Sequence, residues 1–283
     1  MIRIGLDWWN YHNSLLLGKT RWEEVLRRAR HLGCAGVAIE YFALPAAWRK
    51  DAAPLVDACR EMNLEVVFGF GLPLMVNDAA WRLAHEHCDR ALLIAQQLGA
   101  RVLRLQGPIA LSNRITGPVH LRYSRDSERQ TLVRRVKEFC RRATERELLV
   151  AVENQGRFGA EDLLRLADLT DEQNLRFVFH SGNAVAQGRD PYHELGLLAP
   201  RVVYLRLVDV QGHGAKAWPV PLGDGRIDIL TLLRLARRAG YEGLCSPVID
   251  LPIWSVSLEE DRTSRAIGYL SEVDIELRKE KTI

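Results

Sequence analysis

The sequence contains few cysteines, no long apolar run and no excess of charge of one sign. Its five cysteines are scattered and form no Cys-x-x-Cys pair, which argues against a zinc knuckle or a disulfide framework and predicts reduced, buried thiols. No apolar run approaches the roughly 18 residues that a membrane span needs, and no charged-then-apolar leader is present. The 39 basic and 36 acidic residues give a net charge of +3, which implies no polyanionic partner. We therefore expect a cytoplasmic protein that binds neither membranes nor nucleic acid.

The one basic cluster, "RQTLVRRVKEFCRRATER", has a helical pattern. Its arginines lie on one side of that pattern, and Leu132, Val136, Phe139 and Cys140 lie on another. The solvated face of an amphipathic helix explains this arrangement better than a nucleic-acid site does.

Short apolar segments rich in Val, Ile and Leu recur along the 283 residues, separated by segments of helical period. Strands that are apolar throughout are typical of a parallel sheet covered by helices. The predicted strands are Ile2–Leu6, Gly36–Glu40, Glu65–Phe70, Arg101–Leu105, Leu149–Glu153, Arg176–Phe179, Val202–Leu207 and Leu244–Ile249. Eight such units without a break in composition predict a single α/β domain over residues 1–283, a (β/α)8 TIM barrel. A doubly wound open sheet is the alternative, but the "DWWNYHNS" after the first strand lacks the glycines of a phosphate-binding turn.

This prediction also locates the functional site, because such barrels carry it at the C-terminal ends of the strands. The residues there are polar, which predicts a cavity for a small polar molecule. Glu153 and Arg206 lie at the C-terminal ends of strands five and seven, His180 directly follows strand six, and these three are the candidates for catalysis. The side chains expected to bind the substrate are Trp8, Glu40, Gln106, Asn154, Asn183, Asp209 and Asp250.

Three segments together resemble one known family. They are "LLVAVENQG" on the fifth strand, "FVFHSGNAV" on the sixth, and "VVYLRLVDVQG" with the later "VPLGDGRIDI" on the seventh and its loop. They resemble the xylose isomerase-like TIM barrels, which include sugar isomerases and epimerases, inosose dehydratases and apurinic-site endonucleases. The resemblance covers nearly the whole chain, and "PLGDGRIDI" is its most specific part.

The resemblance implies a divalent cation held by Glu, Asp, His and Glu from strands five to eight. Glu153 retains the first ligand, whereas His180, Arg206 and Val248 stand at the other three positions. Arg206 carries a permanent positive charge, so a site without a cofactor is expected. The alternative is a single Mn, Fe or Zn ion held by Glu153, His180 and Asp250.

The resemblance thus implies an isomerase, epimerase or lyase that removes a proton next to a carbonyl, with a sugar, a polyol, a keto acid or a related hydroxy-carbonyl compound as its small-molecule partner. Glu153 would be the base, His180 a proton donor or second base, and Arg206 would stabilise the enolate or bind an acid group of the substrate. A plain Glu153–Arg206 ion pair is the structural alternative. The competing function is a non-catalytic barrel that serves as a ligand-binding or assembly subunit, as a homodimer or paired with a homologous subunit. A nuclease is disfavoured, because its cluster of cation ligands and its basic groove are missing.

Overall fold

The structure, a computed structural model, describes residues 1–71, 74, 81–82, 85–106, 126–156, 158–249 and 253–280. Eight parallel strands close into a barrel, which confirms the predicted TIM barrel. A short antiparallel pair, β8 and β9, follows the seventh barrel strand. The strands are β1 (Arg3–Asp7), β2 (Gly36–Glu40), β3 (Glu65–Phe70), β4 (Val102–Leu105), β5 (Leu149–Glu153), β6 (Leu175–His180), β7 (Val202–Leu207), β8 (Asp209–Gln211), β9 (Trp218–Val220) and β10 (Leu244–Pro247).

The barrel strands pair in the order β1-β10-β7-β6-β5-β4-β3-β2, and the parallel pairing of β1 with β10 closes the ring. The predicted strands agree with these bounds except at some ends. β6 extends to His180, so this residue ends the strand rather than following it. β10 ends at Pro247, two residues earlier than predicted, although the backbone N–H of Val248 still donates to the carbonyl oxygen of Leu207 at 2.9 Å. Pro247 itself has no backbone N–H to contribute to the sheet.

Helices follow the strands and cover the outside of the barrel. No helix in the described ranges is long and apolar enough to cross a membrane. The helices are α1 (His12–Leu16), α2 (Trp22–His31), α3 (Ala46–Lys50), α4 (Ala53–Glu61), α5 (Cys88–Gln97), α6 (Asp126–Thr144), α7 (Ala160–Thr170), α8 (Ser181–Ala186), α9 (Pro191–Leu198), α10 (Ile229–Arg238) and α11 (Glu259–Lys279), with 3-10 segments at Trp8–Tyr11, Tyr41–Ala43, Ala199–Arg201, Gly214–Lys216 and Ile253–Leu258.

Most of the basic cluster lies in α6, and its predicted apolar face is confirmed. Leu132, Val136, Phe139 and Cys140 are all buried against the barrel side of the helix. The prediction of a solvated arginine face is wrong for Arg135, which is 1% exposed and donates from Nη1 to the carbonyl oxygen of Leu74 at 2.8 Å. All five cysteines are buried free thiols, as the sequence predicts. Burial of this apolar face provides most of the stability of such a helix, since each large apolar side chain contributes about 1.5–3 kcal/mol when it leaves water.

Candidate functional site

The interior of the barrel contains two layers of side chains. The first is apolar and consists of Ala38, Val67, Val102, Ala151, Val178, Tyr204 and Leu244. Because side chains alternate along a strand, the residue two positions further on faces the same interior. This second layer, which we call the polar layer, lies nearer the C-terminal ends of the strands and consists of Asp7, Glu40, Gly69, Arg104, Glu153, His180, Arg206 and Ser246.

Arg206 lies between two carboxylates of the polar layer. Its Nη1 donates to both carboxylate oxygens of Glu153, at 3.1 Å each. Its Nε donates to Oδ2 of Asp7 at 2.9 Å, and that same oxygen accepts a hydrogen bond from the Tyr204 hydroxyl at 2.8 Å. The Glu153–Arg206 ion pair expected as the structural alternative is therefore present, but it forms part of a larger cluster.

Arg104 joins this cluster from β4, and the sequence analysis missed it. Its Nη1 donates to Oε2 of Glu153 at 3.0 Å, and its Nη2 donates to Oε2 of Glu40 at 2.9 Å. The signal for Arg104 in the sequence was its charge within the otherwise apolar strand "VLRL". A charged side chain is almost never buried without a partner. Two guanidiniums thus connect three carboxylates in the order Asp7–Arg206–Glu153–Arg104–Glu40.

Gly69 makes room for this chain of charges. A β-carbon at Gly69 would overlap Oε2 of Glu40 and would lie 3.0 Å from Nη2 of Arg104. Glycine is therefore required here by close approach of side chains, although its backbone is ordinary strand.

The three carboxylates differ in protonation. Burial alone would raise the pKa of Asp7 and of Glu153, but the guanidiniums of Arg206 and Arg104 outweigh it and hold both pKa values below the ordinary range. Burial raises the pKa of Glu40, and its one guanidinium partner, Arg104, does not offset the effect. Glu40 is consequently the carboxyl of the polar layer that most readily carries a proton.

His180 is held as a neutral imidazole. Burial lowers its pKa to about 4, although the Glu153 carboxylate acts in the opposite direction. Its Nδ1 accepts a hydrogen bond from the backbone N–H of Asn183 at 3.2 Å, so the fitting tautomer carries its proton on Nε2. The side chain is only partly buried, and it can donate from Nε2 to a neighbouring acceptor.

Two residues predicted to bind the substrate make backbone contacts instead. Asn154 is fully buried and pairs with the backbone of His180, accepting from its N–H at 2.6 Å and donating to its carbonyl oxygen at 3.1 Å. Asp209 is also fully buried, and its two oxygens accept from four backbone N–H groups of residues 210–227 at 2.9–3.0 Å. Neither side chain belongs to the polar layer: Asn154 positions His180, and Asp209 holds the "PLGDGRI" loop.

The other predicted substrate contacts lie around the mouth of the barrel. Asn183 donates from Nδ2 to Oε1 of Glu153 at 3.4 Å. Gln106 is partly exposed and lies beside Gly71, whose N–H donates to Glu40 at 2.8 Å.

Trp8, another predicted contact, is 6% exposed. Its indole N–H has no hydrogen-bond partner in the described part of the chain, which leaves one donor free. Asp250 lies outside the described residues.

The donor set does not fit the cation that the resemblance implies. Both oxygens of Glu153 are occupied by guanidinium N–H groups, and Val248 offers no donor and is buried among apolar side chains. A guanidinium about 4 Å from a cation repels it by roughly 4 kcal/mol for each unit of cation charge at an effective dielectric constant of 20. Within the described residues, no group of three or more His, Cys, Asp or Glu side chains is placed to hold a metal.

Comparison with known proteins agrees with this architecture. The chain is similar to a xylose isomerase domain protein from Planctomyces limnophilus (TM-score 0.76, 16% identity, 98% of this chain and 99% of that chain). It is also similar to D-psicose 3-epimerase from Clostridium cellulolyticum H10 (TM-score 0.76, 12% identity, 96% and 99%) and to the probable 3-DHS dehydratase involved in petrobactin synthesis from Bacillus anthracis (TM-score 0.74, 13% identity, 95% and 99%).

At such identities these likenesses show the fold alone, and no curated protein matches the sequence significantly. The family description "Xylose isomerase-like TIM barrel" matches residues 26–270. The chain belongs to the xylose isomerase-like TIM barrel family.

Proposed function

We propose that this chain is a metal-independent isomerase, epimerase or lyase that acts on a sugar, a polyol or a related hydroxy-carbonyl compound. The observation that carries the proposal is the Arg104–Glu153–Arg206 cluster, in which fixed guanidinium charge stands beside the carboxylate that would hold a cation. The buried free cysteines support a reducing, cytoplasmic setting.

The geometry changes the roles that the sequence suggests. Glu153 is 1% exposed and is held ionised by two guanidiniums, which makes it a poor base. Arg206 is committed to Asp7 and Glu153 and is not available to bind an acid group of the substrate. In our proposal, these residues fix the charge of the polar layer, and proton transfer passes to other groups.

Glu40 and His180 are the groups suited to proton transfer. Burial raises the pKa of Glu40, and Glu40 lies beside the partly exposed Gly71 and Gln106 at the mouth, so in our proposal it exchanges a proton with the substrate. Neutral His180 can donate from Nε2 to the substrate carbonyl oxygen, where negative charge develops as the neighbouring C–H loses its proton. A neutral imidazole suits this role, because its Nε2–H can donate a hydrogen bond to the carbonyl oxygen before any proton is transferred.

Deuterium exchange tests this proposal without knowledge of the product. The protein, treated with a chelator, is incubated in D2O with a panel of ketoses and keto acids, and exchange of the hydrogen next to the carbonyl is followed by NMR. We expect exchange of at least one compound, with a loss of about 100-fold or more in Glu40→Gln and His180→Gln. The surface variant Glu138→Gln should retain full exchange. Exchange that needs added Mn²⁺, or that survives in both site variants, would contradict the proposal.

A non-catalytic ligand-binding or assembly subunit is the second candidate. It is favoured by the ion pairs, because Asp7, Glu40, Arg104, Glu153 and Arg206 are at most 7% exposed, and each of the three carboxylates contacts a guanidinium without any ligand. Binding of a panel compound without exchange would support this candidate. A homodimer, or pairing with a homologous subunit, would then be sought by light scattering.

A further inference from the structure

We propose that a cavity between the β9 end of the β8–β9 pair and helix α11 binds the carboxylate of a small organic acid through Arg262. The proposal deepens the proposed function, because it names small organic acids as the chemical class of the ligand. It rests on the proposed function, because it takes the bound acid to be the ligand of the barrel mouth.

The cavity lies next to the polar layer. Val248, one of its lining residues, donates its backbone N–H to the carbonyl oxygen of Leu207 at 2.9 Å. Leu207 directly follows Arg206 on β7. The cavity therefore lies beside the C-terminal ends of β7 and β10, which are on the face of the barrel where ligands bind in this fold.

The walls of the cavity are mostly apolar. Pro219, Pro221 and Leu222 form one side, and Val248 and Ile249 form another. Its volume is 210 Å³, which corresponds to about seven water molecules at roughly 30 Å³ each. A group of this size, such as a small ring or a short carbon chain, fills the cavity, whereas a polymer does not.

One positive charge in the cavity is uncommitted. Arg265 lines the cavity but donates from Nε to Asp261 at 3.0 Å. Arg262 lines it too, is partly buried, and takes part in no ion pair within the described part of the chain. An apolar wall strengthens the attraction of such a guanidinium for an anion, because it excludes water from the pair.

A carboxylate matches this single guanidinium better than a phosphate does. The planar fork of arginine makes two parallel hydrogen bonds to one carboxylate and neutralises its charge. A phosphate carries nearly two negative charges at neutral pH and would remain partly uncompensated beside one arginine. Because Arg206 is committed to Asp7 and Glu153, it does not supply this contact, whereas Arg262 has no ion pair among the described residues and is available for an acid group.

Binding of benzoate to the full chain, measured by calorimetry, tests the proposal. Benzamide, of the same shape without the charge, and inorganic phosphate are the comparison probes. We expect benzoate to bind, and the other two to bind at least about tenfold more weakly. Arg262→Met should weaken benzoate binding by about tenfold or more, and Arg262→Lys should have an intermediate effect, since it keeps the charge and loses the fork.

Arg265→Met is the matched control, because that arginine lines the same cavity but is paired with Asp261, and it should keep benzoate affinity within about threefold. Equal binding of benzamide, or unchanged affinity in Arg262→Met, would overturn the proposal. Calorimetry requires no turnover, so its result is separate from that of the deuterium-exchange assay. Loss of exchange with benzoate binding intact would count against the proposed reaction alone.

Discussion

Nη1 of Arg206 lies 3.1 Å from each carboxylate oxygen of Glu153, inside the barrel and away from solvent. A single buried pair of this kind gains little net stability, because desolvation of two charges offsets their attraction. Removal of one partner is costly, however, since the remaining charge is left buried and uncompensated. The pair therefore acts less as a source of stability than as a constraint on which side chains can occupy the polar layer.

The first prediction concerns this constraint. Arg206→Met should lower the free energy of unfolding by about 3–5 kcal/mol, because Asp7 and Glu153 each lose a buried counter-charge. Chemical denaturation at pH 7 measures the change. Arg141→Met removes an ion pair at the surface, in which Nε of Arg141 lies 2.9 Å from Oε1 of Glu172. This substitution should lower the free energy of unfolding by about 0.5 kcal/mol or less. Equal effects of the two substitutions would mean that the buried cluster is solvated.

The second prediction concerns the pH dependence of stability. In the unfolded chain His180 takes up a proton below pH 6.5, whereas burial in the folded chain lowers its pKa to about 4. Stability should therefore fall as the pH drops from 6.5 towards 4, by up to roughly 3 kcal/mol from this group. His180→Gln should show a shallower decline over pH 6.5–4.5 in urea denaturation.

Other groups of the polar layer act differently in the same interval. Asp7 and Glu153 have lowered pKa values, so their contributions are present above their unfolded values of 3.8 and 4.5 and are lost only at lower pH. Glu40 has a raised pKa, so its contribution is present at low pH and is lost as the pH rises. Glu40→Gln should consequently steepen the decline between pH 6.5 and 4.5. Parallel curves for the wild type and both variants would refute this account of the site.

The third prediction concerns metal. The purified chain should contain little stoichiometric Mg, Mn, Zn or Fe by elemental analysis, and chelators should leave its melting temperature unchanged. Changing His180 to Asp, Arg206 to His and Val248 to Glu supplies the family's four ligands, but Arg104 would still bind Glu153. We therefore expect Mn²⁺ to raise the melting temperature only when Arg104→Gln is added to these three substitutions.

One equivalent of tightly bound metal in the unmodified chain would contradict this prediction. It would point to a set formed by Glu153, His180 and Asp250, with Arg206 displaced from Glu153. Stabilisation by Mn²⁺ with Arg104 unchanged would show that Arg104 does not restrict the site.

The fourth prediction concerns Asp209. Asp209→Ala should lower the free energy of unfolding by about 3 kcal/mol or more, because it leaves buried backbone N–H groups without an acceptor. Hydrogen exchange should accelerate at the amides of Gly223, Gly225 and Ile227. Asp224→Ala, an exposed aspartate in the same loop, is the control and should leave these amides protected. Unchanged exchange after Asp209→Ala would exclude this loop-anchoring role.

Much of the fold followed from local features of the sequence. Apolar runs mark the strands, and glycines mark helix ends: Gly33, Gly99 and Gly240 all follow helices with positive φ values, as their positions predict. These signals are local, because backbone geometry and burial on one face depend on neighbouring residues.

The composition of the polar layer was only partly accessible from sequence. Glu40, Glu153, His180 and Arg206 were recognised because they lie at the C-terminal ends of strands, where barrels hold their sites. Asp209 also follows a strand, yet it turns to the loop, because four backbone amides there need an acceptor. The position of a residue at a strand end therefore predicts that its side chain lies near the site, but it does not predict which group the side chain contacts.

By itself the sequence determined an eight-stranded parallel barrel with polar strand ends, since periodicity and apolar content decide which faces are buried. Only the tertiary structure decided that Arg104 contacts Glu153, 49 residues away, and Glu40, 64 residues away in the other direction. These contacts depend on the register of neighbouring strands and on the room left by Gly69. The physical reason is that charge pairing acts over a few ångströms in space, and strand order and register, rather than distance along the chain, bring those charges together.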